Sequence, residues 1–299
     1  MNPSTTVSDA PRISVITVSR GRPDALISKA KSLQTQILPS HAFEWCIYLN
    51  ESADEVERVR ARLEKLGLRF KVHVAGGEVH PIGRGRNEAA SRATAPILLI
   101  SDDDVTHSAG ALEAHLAFHD AVSDAVGVGP LRLPEALRDG QRTEPFERTT
   151  SAFGRIPWIQ MTGTNTSLRK IDFDAVGGYD PNWDGYGGED PELALRLVVR
   201  GLTFRRVEHA VAEHHGRVWD NTEKAYEAGK AHVRVVRRHP QAASAWWLGV
   251  HPILLAVKRV IHHGPWSSLF DSAVLAYERA YAQGARDAWR QRAAQETSS

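Results

Sequence analysis

The sequence predicts an α/β fold with a mixed, mostly parallel central sheet flanked by helices. From residue 12 onward, runs of branched aliphatic residues alternate with helical segments, the pattern of successive βαβ units. Ile97-Leu98-Leu99-Ile100 are four consecutive branched aliphatics, suited to a strand covered on both faces, as in parallel sheets. That strand runs straight into Asp102-Asp103-Asp104, and open α/β sheets bind ligands at such C-terminal strand edges. Adjacent carboxylates repel and are costly to bury unpaired. They imply either a solvated turn that stops the strand or a cation that holds them.

The remaining elements follow in order. Residues 12–19 read as a first buried strand, broken at Arg20-Gly21-Arg22-Pro23-Asp24 and followed by a helix over 25–36. A second strand over 43–49 ends at Asn50-Glu51, and 53–66 is an amphipathic helix closed by Gly67. Residues 69–74 make a short third strand. In Pro81-Ile82-Gly83-Arg84-Gly85-Arg86-Asn87, the glycines let backbone approach a ligand. Arg84 and Arg86 there offer planar forks for phosphate, with helix continuing to about Arg92; the alternative is a polar loop entering a helix. Neither a Gly-x-Gly-x-x-Gly turn after the first strand nor a Walker loop is present, so dinucleotide and P-loop readings lose their main support.

Downstream, a helix is expected over 110–121, a strand over 125–133, a polar loop over 134–154 that would cover the site, and a strand over 158–168. Residues 176–196 then combine paired glycines, aromatic rings and Glu189-Asp190-Pro191. Pro191 suits the first position of a helix running to 200, which makes Asp190 either its N-cap or a carboxylate held at a helix mouth as a base. A strand over 202–207 leads to Ala212-Glu213-His214-His215-Gly216.

Composition narrows the class. The 299 residues carry 42% hydrophobic and 24% charged residues, ordinary for a globular protein with a sizeable core. A net charge of +1 argues against a nucleic-acid binder. The single cysteine, Cys46, lies in an apolar run and reads as a buried thiol. Residues 1–11 form a polar tail expected to be disordered and unlike a signal peptide, and no apolar run reaches the ~20 residues of a membrane span. The expected location is cytoplasmic.

Taken together, the first strand, Gly85-Arg86-Asn87-Glu88-Ala89, Asp102-Asp103-Asp104, Gly163-Thr164-Asn165-Thr166-Ser167, and Gly177-Gly178-Tyr179-Asp180 followed by Gly188-Glu189-Asp190 resemble the inverting GT-A glycosyltransferases of the family 2 type. The resemblance covers about residues 12–216. It implies the nucleotide-diphospho-sugar transferase fold, a nucleotide-sugar donor, with a UDP-sugar favoured, and Mn²⁺ or Mg²⁺. The Asp-x-Asp motif falls on Asp102 and Asp104, with Asp104 the expected direct metal ligand and His214 or His215 completing the shell. Asp190 is the expected base that takes the acceptor hydroxyl proton, with Glu189 orienting the acceptor or standing in as base. Donor contacts are expected from Thr17, Ser19, Arg20, Glu51, Arg84, Arg86, Asn87, Asp102 and Asp103. The Pro-Thr-Tyr-Asn usual after the first strand is replaced by Val18-Ser19-Arg20-Gly21-Arg22, a departure that bears on recognition of the donor base. A nucleotidyltransferase, or a non-catalytic binder of glycans or sugar nucleotides, remains the alternative; neither needs the Glu189-Asp190 pair.

The expected organisation is a tail (1–11), a transferase domain (12–220) with a donor half (12–105) and an acceptor half (106–220), and a helical extension (221–299). Within the extension a basic helix is expected over 226–238 and a final helix over 269–292. Its apolar run from Trp246 to Arg259 is expected to pack on the domain or on a second copy as a homodimer, with peripheral membrane contact as a minority alternative.

Overall fold

The computed structural model describes residues 10–133, 154–215, 222–240 and 243–296. Residues 1–9 of the expected tail (1–11), 134–153 of the expected covering loop (134–154) and the last three residues lie outside them. Seven strands form the main sheet in the order β3-β2-β1-β4-β8-β6-β9. These are β1 (Ile13–Ser19), β2 (Phe43–Ser52), β3 (Lys71–Gly77), β4 (Ile97–Ile100), β6 (Ala125–Val128), β8 (Thr166–Arg169) and β9 (Thr203–Arg206). β1 runs parallel to β2 and β4, with Ile16 opposite Cys46 and Ile100, and β2 is parallel to β3. β8 is antiparallel to both β4 and β6, which makes the sheet mixed.

Alternation along each strand divides the core in two. Ile13, Val15, Trp45, Ile47, Ile97 and Leu99 face one side, where α1 (Pro23–Gln34), α2 (Ala53–Glu64) and α4 (Ala111–Ala121) supply Leu26, Leu33, Val56, Val59 and Leu112. Ile16, Cys46, Leu98 and Ile100 face the other side. There α3 (Ile82–Ala90), α5 (Lys170–Ala175) and α6 (Glu189–Val199) pack, together with α7 (Thr222–Arg238) and α10 (Ser272–Glu296). Burying both faces is what lets strands be apolar throughout. Cys46 is a buried free thiol, pushed up to about 12 by burial first and then by Glu44.

The C-terminal helices share that second core. α7 lies against α10 so closely that a side chain on Gly229 or Gly284 would meet the facing backbone of Tyr281 or Tyr226. α8 (Ser244–Trp247) and α9 (Pro252–His263) complete this layer, and α9 packs on α10. No helix among the described residues is long and apolar enough to cross a membrane.

Two expected strands differ in the structure. The segment 125–133 is two strands, β6 and β7 (Leu131–Arg132), because Pro130 donates no amide and Asn165 Nδ2 binds the carbonyls of Pro130 (3.2 Å) and Ala210 (2.7 Å). β7 therefore leaves the main sheet and joins β10 (Ala212–His214) and β5 (Val105–His107) in a small second sheet of order β5-β10-β7. Of 158–168, Trp158–Gln160 is a single 3-10 turn after Pro157, and the strand begins only at Thr166. Asp190 does not cap α6. The helix begins at Glu189 behind Gly188, whose φ of +88° favours glycine, and the Asp190 side chain is free to point elsewhere.

Candidate active site

The three carboxylates after β4 sit among cations from three separate elements. Lys29 of α1 is fully buried beneath them, its Nζ donating to Ser101 Oγ (2.6 Å) and to the carbonyls of Asp102 (2.9 Å) and Val105 (3.0 Å). Burial lowers this ammonium to about 7 despite the three aspartates that raise it. Arg22, at the start of α1, donates to Asp103 Oδ1 (3.2 Å) and Asp104 Oδ2 (2.7 Å). Ser19 Oγ, at the end of β1, donates to Asp103 Oδ2 at 2.6 Å.

β10 brings the histidines. Its pairing with β5 puts His214 opposite Val105, and His214 Nε2 lies 3.5 Å from Asp104 Oδ1. His215 turns away: its amide donates to the Asp104 carbonyl (2.9 Å) and its ring meets Thr106 Oγ1 (2.8 Å). Burial alone would raise the Asp104 carboxyl, but His214 and then Arg22 outweigh it and hold it at about 2.

Arg86 joins this end of the site to the start of α6. Its side chain is only 3% exposed, and its Nη2 donates to Asp102 Oδ1 (2.8 Å). Its Nη1 reaches Asp190 Oδ1 (3.1 Å) and Glu189 Oε1 (3.3 Å). Burial works against its charge, yet the surrounding carboxylates keep the guanidinium well above its usual range. Asp190 is fixed by two further donors, Tyr179 Oη (2.9 Å to Oδ1) and the Gly163 amide (2.8 Å to Oδ2). A side chain at Gly163 would collide with the Arg86 guanidinium, so this close approach requires glycine. Glu189 differs from its neighbour. Burial first, and then Asp190, pushes its carboxyl up to about 7, and its Oε2 is buried with no hydrogen-bond partner among the described residues.

The other sequence candidates fall into three groups. Glu51 and Ser19 line a cleft of about 280 Å³ at the ends of β1 and β2, along with Arg22, Leu49 and Ser52. There the Gly21 amide donates to Glu51. Thr17 and Asn87 are committed to the protein's own groups. Thr17 Oγ1 donates to the Ser101 carbonyl and accepts from Trp45 Nε1, both at 2.9 Å. Asn87 pairs with both backbone groups of Tyr179, at 2.7 and 2.8 Å. Arg20 and Arg84 are exposed, and Arg84 points away from buried Arg86 because two residues turn a helix by about 200°. Sequence reasoning missed Arg22, Lys29, Tyr179 and Gly163 as site residues. The one available signal was electrostatic: three adjacent carboxylates must find cations within reach.

Among the described residues, a separate trio of ligand-type side chains, Glu44, Cys46 and His73, brings its ligand atoms within 4.8 Å of one another. Its hydrogen bonds make it a clasp. Glu44 Oε1 accepts from Ser14 Oγ (2.7 Å), the Thr94 amide (2.6 Å) and Thr94 Oγ1 (2.9 Å), tying β2 to the connection between α3 and β4, while Oε2 meets His73 at 3.0 Å.

A mixed α/β sheet with acidic groups gathered at strand ends is the GT-A arrangement, and the chain belongs to glycosyl transferase family 2, whose profile matches residues 14–179, more than half of it. A profile described as the N-terminal domain of galactosyltransferase matches residues 145–217, which include Gly163, Glu189, Asp190 and His214. The chain is 26% identical over 272 residues to validoxylamine A glucosyltransferase of Streptomyces hygroscopicus subsp. limoneus, covering 78% of this chain and 58% of that relative. It thus spans less than two thirds of that relative's length. A mannosyltransferase from Pyrobaculum calidifontis, in complex with GDP-Man and Mn²⁺, superposes with a TM-score of 0.66 at 14% identity, over 93% of this chain and 86% of that one. S. aureus TarS in complex with UDP-GlcNAc gives a TM-score of 0.56 at 15% identity, over 94% and 92%. At these identities the likeness to the solved structures is one of fold.

Proposed function

We propose that this chain is a metal-assisted, inverting glycosyltransferase that moves a sugar from a nucleotide-diphosphate donor, a UDP-sugar in the first instance, to an acceptor hydroxyl. One observation carries the reading. A single buried guanidinium, Arg86, is bonded to Asp102 on one side and to Asp190 on the other, so a donor-phosphate end and a proton-accepting end belong to one site. A nucleotidyltransferase or a binder gives no reason for the second half of that arrangement.

The donor set suits a divalent cation. Asp104 Oδ1 and His214 Nε2, 3.5 Å apart, are separated as two ligands of one ion are, and carboxylate with imidazole suits Mn²⁺. Asp104 and His214, with Asp102 beside them, would hold the ion, which when bound offsets the charge gathering on the departing nucleoside diphosphate. In the reaction the acceptor oxygen bonds to the anomeric carbon as the bond from that carbon to the diphosphate oxygen breaks, and the hydroxyl proton passes to Asp190. Tyr179, Gly163 and Arg86 hold that carboxylate in one orientation, as a general base requires. The cleft beside Glu51 is assigned to the nucleoside.

Glu189 gives a second reading for the base, favoured by its raised carboxyl and its unpartnered Oε2. The test is Asp190→Asn, assayed for donor binding and for turnover with UDP- and GDP-sugars, in Mn²⁺ and in EDTA. The expected result is a loss of turnover of about 10²–10⁴-fold with metal-dependent donor binding retained. Unchanged turnover in this variant would transfer the role to Glu189.

A further inference from the structure

The outward side of α9 is apolar where a surface helix is ordinarily polar. Ile253, Val257 and Val260 are 59%, 48% and 60% exposed, and at i, i+4 and i+7 they form one stripe. The opposite stripe, Leu255 and His262, is buried. Aromatic rings extend the exposed stripe at both ends. Before α9, Trp246 stacks on His251 with ring centroids 4.0 Å apart, and Trp247 is half exposed. After α9, Trp266, Leu269 and Phe270 are all exposed.

Positive charge predominates on this side, the acids being Asp271 after Phe270 and Glu278 and Asp287 of α10. No Asp or Glu occurs between residues 241 and 270. Lys258 is paired to Glu278 of α10 at 2.9 Å, but Arg259, on the flank of the stripe, comes near Arg286 of α10. Burial, then Arg259 and Arg290, lowers the Arg286 guanidinium from its usual range. Arg290 pairs with Asp287 of its own helix at 3.5 Å. The fold has gathered three guanidiniums beside an apolar stripe with few carboxylates to meet them.

We propose that this face docks the protein on an anionic lipid surface, with the α9 stripe at the headgroup boundary, the tryptophans at its edge and the arginines on lipid phosphates. Tryptophan suits that level because one end of the ring is apolar and the other carries an N–H donor. Arginine forks pair with phosphate in two-pronged fashion while their stems lie along apolar surface. A second copy of the chain is a poorer occupant. A two-fold contact through α9 would bring two arginine groups onto a segment that offers no carboxylate from 241 to 270.

The inference is independent of the reaction proposed above, and its test reads lipid binding alone. Full-length protein is floated with vesicles of phosphatidylcholine, and of phosphatidylcholine mixed with phosphatidylglycerol, at low and high salt. Expected is binding to the anionic vesicles, accompanied by a blue shift of tryptophan fluorescence. Binding should fall roughly tenfold or more on phosphatidylcholine alone and at high salt. The double variant Val257→Asp, Val260→Asp changes exposed positions, and with an unaltered melting temperature it should lose at least that much affinity. Failure to bind any vesicle would overturn the proposal, as would equal binding by the double variant. A stable dimer in light scattering that the double variant dissolves would also overturn it, giving the face to a second copy.

Discussion

The turn at residues 102–104 and the Glu189-Asp190 pair both gather carboxylates at the mouth of the same sheet, yet they are counter-charged very differently. The first has Lys29 beneath it, Arg22 and Arg86 at its sides and His214 in front, and Asp104 stays low, at about 2. The second shares only Arg86, and Glu189 rises to about 7. His214 and Arg22 keep Asp104 ionised, the state a metal ligand requires, while burial raises its neighbours Asp102 and Asp103. One cation shared between buried Glu189 and its neighbour leaves the Glu189 proton near neutrality, the state suited to handling protons.

The largest expected effect belongs to Asp104→Asn. If the first cluster holds a metal, this variant loses several kcal/mol of charge stabilisation, roughly a thousandfold in turnover, and its donor binding no longer responds to Mn²⁺. Retained metal response by titration calorimetry would remove Asp104 from the donor set. Next in size is Arg86→Met. Removing the cation that, among the described residues, is common to both clusters leaves buried Glu189 and partly buried Asp102 and Asp190 without it, and breaking a buried pair costs about 3–5 kcal/mol. Urea unfolding at neutral pH should show that loss, and it should shrink as pH falls and the carboxylates take up protons. A variant as stable as the parent would mean that the two clusters do not depend on the shared guanidinium.

The turn at residues 102–104 was the more legible in the sequence, for a physical reason. Strands covered on both faces need unbroken apolar residues, so Ile13–Ser19 and Ile97–Ile100 stand out, and the acids that end β4 interrupt that run visibly. The surroundings of Glu189 and Asp190 are built from exceptions. Pro130 splits a strand, Gly188 caps α6 two residues before the expected cap position, and Gly163 matters for its amide and its lack of a side chain. The resemblance located Asp190 and Glu189, but their local sequence fitted a helix cap equally well. Arg86 reads in the sequence as a fork for phosphate, while in the structure its guanidinium is bonded to Asp102 and Asp190, 16 and 104 residues away, a distance over which spacing carries no information. Lys29 was invisible for the opposite reason: a lysine in a helix reads as a solvated face, and nothing local says that its ammonium ends beneath a strand.

Glu189→Gln probes the smallest difference between the clusters, and its sign can be worked out. A carboxyl raised from 4.5 to about 7 by burial binds more protons folded than unfolded between those values. The stability tied to it is therefore fully present below pH 4.5 and is lost as pH rises through 7. The glutamine side chain keeps the shape without the ionisation, so the variant should match the parent near pH 5 and exceed it at pH 8 by about 1–3 kcal/mol. Melting temperatures across that range test this directly, and a variant less stable at pH 8 would show that the ionised Glu189 is well paired after all. Turnover separates the two assignments of the base in the same experiment. With Asp190 as base the variant keeps most of its activity and loses the pH dependence near 7, because the group titrating there only neighbours the base; with Glu189 as base, activity falls with the carboxylate.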